Sequence, residues 1–249
     1  LIKRLIDQGH RPGKLVSLPA DALGELAPRR PTAASTLAPA AAGDLDELLV
    51  LIRQHDAAGY QQALQQRLAR QGFQGFVQDT VAPLTRQVGE AWELGSIEVF
   101  EEHLFTELTK RLLRQAIAAL PGGQRSPRIL LTTVPDEPHI LGLLMAEGLF
   151  ALEGAECIPL GTQMPLLEIA RAAAAHQADI VALSFSVAFP RRQIPGLLQQ
   201  LRLLLAPGVG LWVGGLGVAG IPGVDGVRLL GSFDDAIAAV KQWHAPLPG

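Results

Sequence analysis

The stretch that decides the fold is Arg128-Ile-Leu-Leu-Thr-Thr-Val-Pro-Asp-Glu-Pro-His-Ile-Leu-Gly142, near the middle of the chain. It opens with a largely apolar run from Arg128 to Val134, which is typical of a strand buried on both faces. A loop with two carboxylates and a histidine follows, and a helical pattern then runs from His139 to Leu152. The segment therefore predicts a strand, a loop that carries chemistry, and a helix that packs back on the sheet.

The same alternation of strand and helix continues toward the end of the chain. Short apolar runs predict four further strands, at 156–160, 179–185, 210–213 and 227–230. Helical patterns follow them, at 165–175, 190–204 and 234–243. Strands that alternate with helices indicate a parallel sheet covered on both faces. Residues 127–249 are therefore predicted to form a flavodoxin-like, Rossmann-type α/β domain with five strands, in which ligands bind at the carboxyl ends of the strands.

The region before this domain is predicted to be all-α. Apolar residues recur at helical spacing from Asp44, which we expect to cap the first helix, to about Leu120. The further helices are predicted at 59–70, 75–94 and 97–120. Four helices joined by short loops indicate a four-helix bundle over residues 44–121 that caps the sheet domain.

The first residues predict a different arrangement. The chain begins at Leu1 within a helical pattern, and we interpret residues 1–26 as the end of a truncated N-terminal domain. Residues 27–43 are rich in Pro and Ala and lack any period, which is typical of a linker.

Composition excludes several classes of protein. The 249 residues carry a formal net charge of −3, so the chain as a whole is not a basic nucleic-acid-binding surface. A single cysteine, Cys157, excludes a disulfide framework and a cysteine-type zinc site, and it fits a reducing compartment. No apolar run reaches the length of a membrane span. We therefore expect a cytoplasmic protein without membrane contact.

The loop after the first predicted strand contains the most informative pattern, Glu137-x-His139-x-x-Gly142. A carboxylate at this spacing can hydrogen-bond one imidazole nitrogen and leave the other to bind a metal. A glycine lets a bulky group pass close to the backbone. The alternative is an acidic helix N-terminus beside an exposed histidine that has no further role.

A second pattern lies in the predicted bundle, where nine residues separate Trp92 from the pair Glu102-His103. Trp92 closes the third helix, and the pair lies in the fourth. The Gly95-Ser96 turn would let a large aromatic ring, a carboxylate and an imidazole line one pocket. The alternative is a tryptophan packed in the core and a solvated Glu-His pair.

Three weaker patterns have simpler interpretations. Residues 215–220 match Gly-x-Gly-x-x-Gly, but residues 221–223 continue a loop where a dinucleotide site needs a helix. Arg191-Arg192 opens a helix, an unusual place for cations, which indicates either a surface pair or an anionic ligand group nearby. Cys157 is predicted to be a buried apolar residue. Its alternative role is thioether attachment of a tetrapyrrole.

Together, the first two patterns resemble one family. Glu137-x-His139-x-x-Gly142 is similar to the cobalamin-binding signature. Trp92 followed by Glu102-His103 resembles the bundle of the adenosylcobalamin-dependent photoreceptors, the CarH and LitR class of MerR-type regulators. The loops after the later strands also look like the corresponding loops of this family. The resemblance extends from about Asp44 to Trp243.

The resemblance implies a light-responsive transcriptional regulator, which is not an enzyme, with adenosylcobalamin as its chromophore. His139 would be the lower cobalt ligand, oriented by Glu137, and Trp92 would lie against the adenosyl group. Light would break the Co–C bond and change the oligomeric state, a dimer or tetramer. The N-terminal winged-helix domain would bind operator DNA. The implied cofactor-binding residues are Trp92, Glu102, His103, Glu137, His139, Gly142, Gly161, Thr162, Ser184, Ser186, Gly214 and Gly215.

One position departs from the family. Light-sensing members can supply a second histidine to cobalt near the tryptophan, but here Glu93 follows Trp92. A carboxylate is a poor substitute for imidazole on cobalt. Two alternatives therefore stay open, namely the same fold binding biliverdin or haem, and a corrinoid methyl-carrier protein. The linker and the basic helix before it favour the regulator.

Overall fold

A computed structural model describes residues 39–121 and 126–244 of the chain. The predicted N-terminal tail, and the linker as far as residue 38, lie outside the described residues. The four predicted bundle helices are present, as α1 (Pro39–Arg53), α2 (Ala57–Gly75), α3 (Ala82–Glu93) and α4 (Val99–Ala118). A π-helical turn, Phe76–Val81, joins α2 to α3.

The predicted start of the first helix at Asp44 is wrong. Helix α1 begins at Pro39, so residues 39–43, which we expected to be linker, are helical. Proline is favoured in the first helical turn, and alanine has the highest helix propensity of all residues. The composition that suggested a linker is therefore equally compatible with the first turn of a helix.

The break between the second and third predicted helices occurs at Gly72. This residue lies inside α2 with φ +67° and ψ 173°, a conformation that strains any residue with a Cβ atom. The chain therefore changes direction within α2. Phe73 follows the break directly, and its ring lies against Gly148 in the sheet domain.

The predicted five-stranded sheet is confirmed. Its strands are β1 (Arg128–Thr132), β2 (Glu156–Gly161), β3 (Ile180–Ser184), β4 (Gly210–Gly214) and β5 (Val227–Leu229). All neighbouring pairs are parallel, in the order β2-β1-β3-β4-β5, which is the flavodoxin-like order. The intervening helices are α5 (Leu141–Leu152), α6 (Leu166–Ala175), α7 (Ile194–Leu204) and α8 (Phe233–His244). In the described parts of the chain, no helix combines the length and apolar character that crossing a membrane requires.

The bundle and the sheet domain share one hydrophobic core through α5. Four buried residues of α5 belong to the same cluster as the bundle interior: Leu141, Leu144, Met145 and Leu149. Full burial of one such side chain contributes about 1.5–3 kcal/mol. The Phe73 ring packs closely against Gly148 of α5. A Cβ atom at this glycine would lie only 2.1 Å from Cζ of Phe73. The bundle therefore packs on the sheet domain through a glycine that leaves room for an aromatic ring.

Replacing this glycine tests the shared core. We expect Gly148→Ala to destabilise the protein by about 1–3 kcal/mol, because the added methyl group overlaps the Phe73 ring. Gly89→Ala is the matched control, since Gly89 lies in α3 with open space around its Cβ position. The control should be stabilising by about 0.5–1 kcal/mol, because alanine favours the helix. Urea unfolding measures both variants, and equal effects of the two would contradict this account of Gly148.

A buried carboxylate lies beside the same contact. Glu147 of α5 is 8% exposed. Burial raises the pKa of Glu147, and the positive charge of Arg114 on α4 opposes that increase. An acid with a raised folded pKa favours folding most at low pH, and this contribution is lost as the pH rises through the folded pKa. Glu147 is therefore a source of pH-dependent stability between the bundle and the sheet domain.

The Glu147→Gln variant should separate this effect from general packing. The amide has nearly the same shape but does not titrate. We expect the variant to gain stability relative to the wild type as the pH is raised from about 4 to about 8, the range above the ordinary pKa of glutamate. Thermal unfolding over this range measures the difference. Glu153→Gln, at the end of α5, is the control, and a pH-independent difference for Glu147→Gln would refute the assignment.

Candidate functional site

A buried carboxylate organises the loop after β1. Glu137 is 1% exposed. Its Oε1 atom accepts a hydrogen bond from the backbone N–H of His139 (3.1 Å) and lies 2.6 Å from His139 Nδ1. Its Oε2 atom accepts hydrogen bonds from the backbone N–H (2.7 Å) and the hydroxyl (2.9 Å) of Ser186. The expected contact of Glu137 with His139 is thus present, and Ser186, which was not predicted to contact them, joins the loop after β3 to the loop after β1.

The charge on Glu137 fixes the state of the histidine. Burial opposes ionisation of this carboxyl, but hydrogen bonds from His139 and Ser186 outweigh it and hold its pKa below the usual range. An ionised carboxylate only accepts hydrogen bonds. Nδ1 of His139 therefore carries a hydrogen and donates a hydrogen bond to Glu137. The His139 side chain is 54% exposed. Nε2 is therefore the ring nitrogen with which His139 would bind a metal.

A residue that the sequence analysis missed supports this loop. Thr133 is buried directly after β1. Its hydroxyl donates a hydrogen bond to the carbonyl of Glu137 (2.5 Å) and accepts one from the backbone N–H of Gln163 (2.8 Å). Gln163 has φ +62°, which places that N–H toward Thr133. Thr133 thus joins the loops after β1 and β2, although in the sequence it is indistinguishable from a core threonine.

The predicted glycines lie at the same edge of the sheet. A Cβ atom at Gly142 would lie 2.8 Å from the hydroxyl of Ser184 at the end of β3. Gly161 ends β2 with φ +77°, and its carbonyl accepts a hydrogen bond from the Thr132 hydroxyl. Thr162 follows and is partly buried. Residues from β1, β2 and β3 therefore meet at one edge, as the sequence analysis predicted.

The loop after β4 completes this edge. The carbonyl of Gly214 accepts a hydrogen bond from the backbone N–H of Phe185, at 3.0 Å. Gly215 has φ +96°, and a Cβ atom there would lie 2.3 Å from the Phe185 carbonyl oxygen. A short 3-10 turn, Leu216–Val218, follows where a dinucleotide site would begin an α-helix. The glycines of residues 215–220 therefore allow close packing between the loops after β3 and β4.

The predicted bundle residues lie near the turn between α3 and α4. Trp92 at the end of α3 is 52% exposed, so the alternative of a core tryptophan is wrong. In the first turns of α4, Nδ1 of His103 lies 2.8 Å from Oε2 of Glu102, whose other oxygen accepts a hydrogen bond from Thr106. A carboxylate thus holds Nδ1 of His103 as Glu137 holds Nδ1 of His139, and the His103 side chain is 74% exposed.

Exposed apolar side chains surround Trp92 in sequence. We define the apolar turn as four residues: Trp92, Leu94, Val99 and Phe100. Phe100 also packs against the His55 ring, with the ring centroids 5.3 Å apart. Nε2 of His55 in turn lies 3.2 Å from the buried Glu101. The sequence analysis missed this contact, because His55 and Phe100 are 45 positions apart in the sequence.

Two observations limit the kind of metal group that this site accepts. Within residues 39–121 and 126–244, no three His, Cys, Asp or Glu side chains are grouped so that they could hold a metal ion. Cys157 is only partly buried in β2. Burial and the charges of Glu147 and Glu156 raise the pKa of its thiol to about 12. In the described residues, His139 thus belongs to no such group of three side chains, and Cys157 is poorly suited to thioether attachment.

Parts of the chain are similar to known proteins. Residues 44–117 match the B12 binding domain family. The chain is 33% identical over 137 residues to the HTH-type transcriptional repressor CarH of Myxococcus xanthus. The aligned segment covers 55% of this chain and 46% of that protein. The chain is 31% identical over 135 residues to the repressor CarA of the same organism, covering 54% and 45%. The chain thus spans less than half the length of these curated relatives.

The fold also occurs in a solved structure. The monomethylamine corrinoid protein of Methanosarcina barkeri superposes with a TM-score of 0.64 at 17% identity, covering 80% of this chain and 98% of that protein. At this identity the likeness concerns the fold, namely a helical bundle followed by a five-stranded parallel α/β domain. Residues 44–117 thus match the B12 binding domain family, and the chain is a distant, partial homologue of the CarH and CarA repressors.

Proposed function

We propose that this chain is the sensory region of a light-responsive transcriptional regulator that uses adenosylcobalamin as its chromophore. One observation carries the proposal: His139 is held by the buried, ionised Glu137 and by Ser186 at the carboxyl edge of a parallel sheet. That edge is where ligands bind in this class of fold. The adjoining helices are a B12 binding domain, which supports cobalamin in particular.

The residues at this edge fit a cobalamin. Imidazole is a suitable ligand for cobalt, and the ring of a corrinoid brings nitrogen ligands of its own, so that a single histidine from the protein would suffice. With Nδ1 bonded to Glu137, His139 would bind cobalt from the lower side through Nε2. Gly142, Ser184, Gly214 and Gly215 lie around the same loops and would line the nucleotide tail. Gly161 and Thr162 at the end of β2 would complete this lining.

The bundle would cover the upper side of the cofactor. Bound adenosylcobalamin supplies a cobalt–carbon bond that light breaks. Trp92 offers an exposed aromatic face that suits an adenine ring, and Glu102 and His103 offer polar groups in the first turns of α4. Loss of the adenosyl group would leave the apolar turn uncovered and change how the bundle packs.

Helix α5 provides a physical route between the two sides. It begins two residues after His139, and its buried face is part of the bundle core. A shift of His139 or of the bundle would therefore be felt at the other end of α5. This supports a population shift, in which the adenosyl group favours one packing of bundle against sheet domain and light favours another.

Partners follow from the same proposal. Both curated relatives are HTH-type transcriptional repressors, and the matched segment is less than half of each. We therefore propose that operator DNA is bound by a part of the protein outside the matched segment. Self-association of this region, as a dimer or tetramer that changes with light, would couple the cofactor to DNA.

Glu93 favours a second candidate chromophore. It is exposed beside Trp92, where light-sensing members can supply a histidine to cobalt. A chain that no longer ligates cobalt from above could hold biliverdin or haem in the same fold. A third hypothesis is that the chain is a corrinoid methyl-carrier protein.

The first experiment measures cofactor retention and light response together. Purified protein is mixed with adenosylcobalamin in the dark, desalted, and its absorption spectrum is recorded before and after green light. We expect retained cobalamin and a light-driven spectral change in the wild type. His139→Ala should lose tight binding, because its lower ligand is gone, whereas the exposed His176→Ala control should retain it. Retained cobalamin that ignores light would instead favour a carrier, and absence of retained cobalamin would refute the proposal.

Trp92→Ala tests the upper side. We expect the ratio of the affinities for adenosylcobalamin and methylcobalamin to fall roughly tenfold in the variant, because the aromatic face for the adenosyl group is removed. Equilibrium titration of the absorption spectrum measures both affinities. Trp243→Ala, another exposed tryptophan but on α8, is the control. An unchanged preference in Trp92→Ala would remove this residue from the site.

A further inference from the structure

Two arginines without partners follow β3. Arg191 and Arg192 form the start of the 3-10 turn Arg191–Gln193, directly before α7, and both are exposed. Neither guanidinium makes a hydrogen bond or ion pair with any residue in the described parts of the chain. The sequence pattern marked this pair as unusual, and the function proposed above does not use it.

The other arginines of the sheet domain are all engaged. Arg128 pairs with Glu156, and Arg171 pairs with Glu168. Arg202 donates to three backbone carbonyls, and Arg228 donates to Gln242. Arg191 and Arg192 thus lie on a loop of the site, the one after β3, whereas the four engaged arginines lie within strands or helices. Both guanidinium groups are exposed and can bind an anionic ligand.

Close contacts between loops connect Arg191 to the site around His139. The Nη2 atom of Arg191 lies 3.4 Å from the position of a Cβ atom on Gly220, in the loop after β4. In the same loop, a Cβ atom on Gly217 would lie 2.3 Å from the carbonyl oxygen of Ser186. Ser186 itself contacts Glu137 and His139. Arg191 therefore follows Ser186 on the loop after β3, which also holds His139, and its guanidinium lies at the loop after β4.

Exposed apolar residues on these loops complete the surface. Val187, one residue after Ser186, is 63% exposed, and Leu216, one residue before Gly217, is 51% exposed. A surface that combines such groups with two cations fits a large ligand with apolar and anionic parts. Arginine in particular binds phosphate and carboxylate oxygens in pairs of parallel hydrogen bonds.

We propose that Arg191 and Arg192 form a subsite for an anionic oxygen group of the bound tetrapyrrole. In a cobalamin this group is the phosphodiester of the nucleotide tail, and in a bilin or haem it is a propionate carboxylate. The inference rests on the proposed function in that the ligand is a tetrapyrrole held at His139. It goes further by assigning a charge-recognising role to two residues on the loop after β3.

The test compares two corrinoids that differ in their phosphate. Adenosylcobinamide phosphate carries this group and adenosylcobinamide does not. The whole chain is titrated with each in the dark, and dissociation constants are taken from the absorption spectra. We expect the wild type to bind the phosphate form about tenfold more tightly. The double variant Arg191→Gln/Arg192→Gln should bind both forms equally, because its neutral amides do not attract the anion.

Arg171→Gln is the matched control, because Arg171 is also exposed but lies on α6 and pairs with Glu168. It should keep the wild-type preference for the phosphate form. Circular dichroism melting of the double variant checks that the surface substitutions leave the fold intact. A wild type that binds both cobinamides equally tightly would overturn the anion subsite while leaving cobalamin binding in place.

A second pair of ligands separates the two sources of the anion. If the wild type binds neither corrinoid, the proposed function fails, and biliverdin is compared with its dimethyl ester. A preference for the free acid that disappears in the double variant would support the subsite with carboxylate as its ligand. Equal binding of the acid and the ester, or binding of neither, would overturn it.

Discussion

A single buried carboxylate determines how the carboxyl edge of the sheet is built. Taking the Glu137 carboxyl group out of water is costly unless each oxygen receives hydrogen bonds. The donors come from His139 on its own loop and from Ser186 on the loop after β3. Neither loop can move away without leaving a buried charge unpaired. The orientation of His139 is therefore a consequence of satisfying Glu137.

The second constraint is the continuity of packing between bundle and sheet domain. Helix α5 starts beside His139 and ends its buried face against Phe73 of the bundle. Because protein interiors are closely packed, a displacement at one end of such a helix is not absorbed locally. In the proposed sensor, this makes the bundle responsive to events at the sheet edge without a flexible connection between them.

Much of this arrangement could be predicted from the sequence. The alternation of strand and helix was sufficient to predict the sheet. The Glu137-x-His139 spacing was sufficient to predict the contact between these two residues, because both predictions depend on local sequence patterns. Thr133, Gly148 and the contact of His55 with Phe100 were missed, because their roles depend on partners distant in the sequence. The start of α1 was placed too late, because a Pro-Ala run is compatible with both a linker and a helix.

The apolar turn has a consequence for the protein before it meets a ligand. Four large apolar side chains exposed at one end of a bundle promote association between molecules unless something covers them. If the proposed cofactor provides that cover, its availability controls more than signalling. The chain without its cofactor would then associate more readily than the loaded chain, so that the cofactor would also act as a solubilising group.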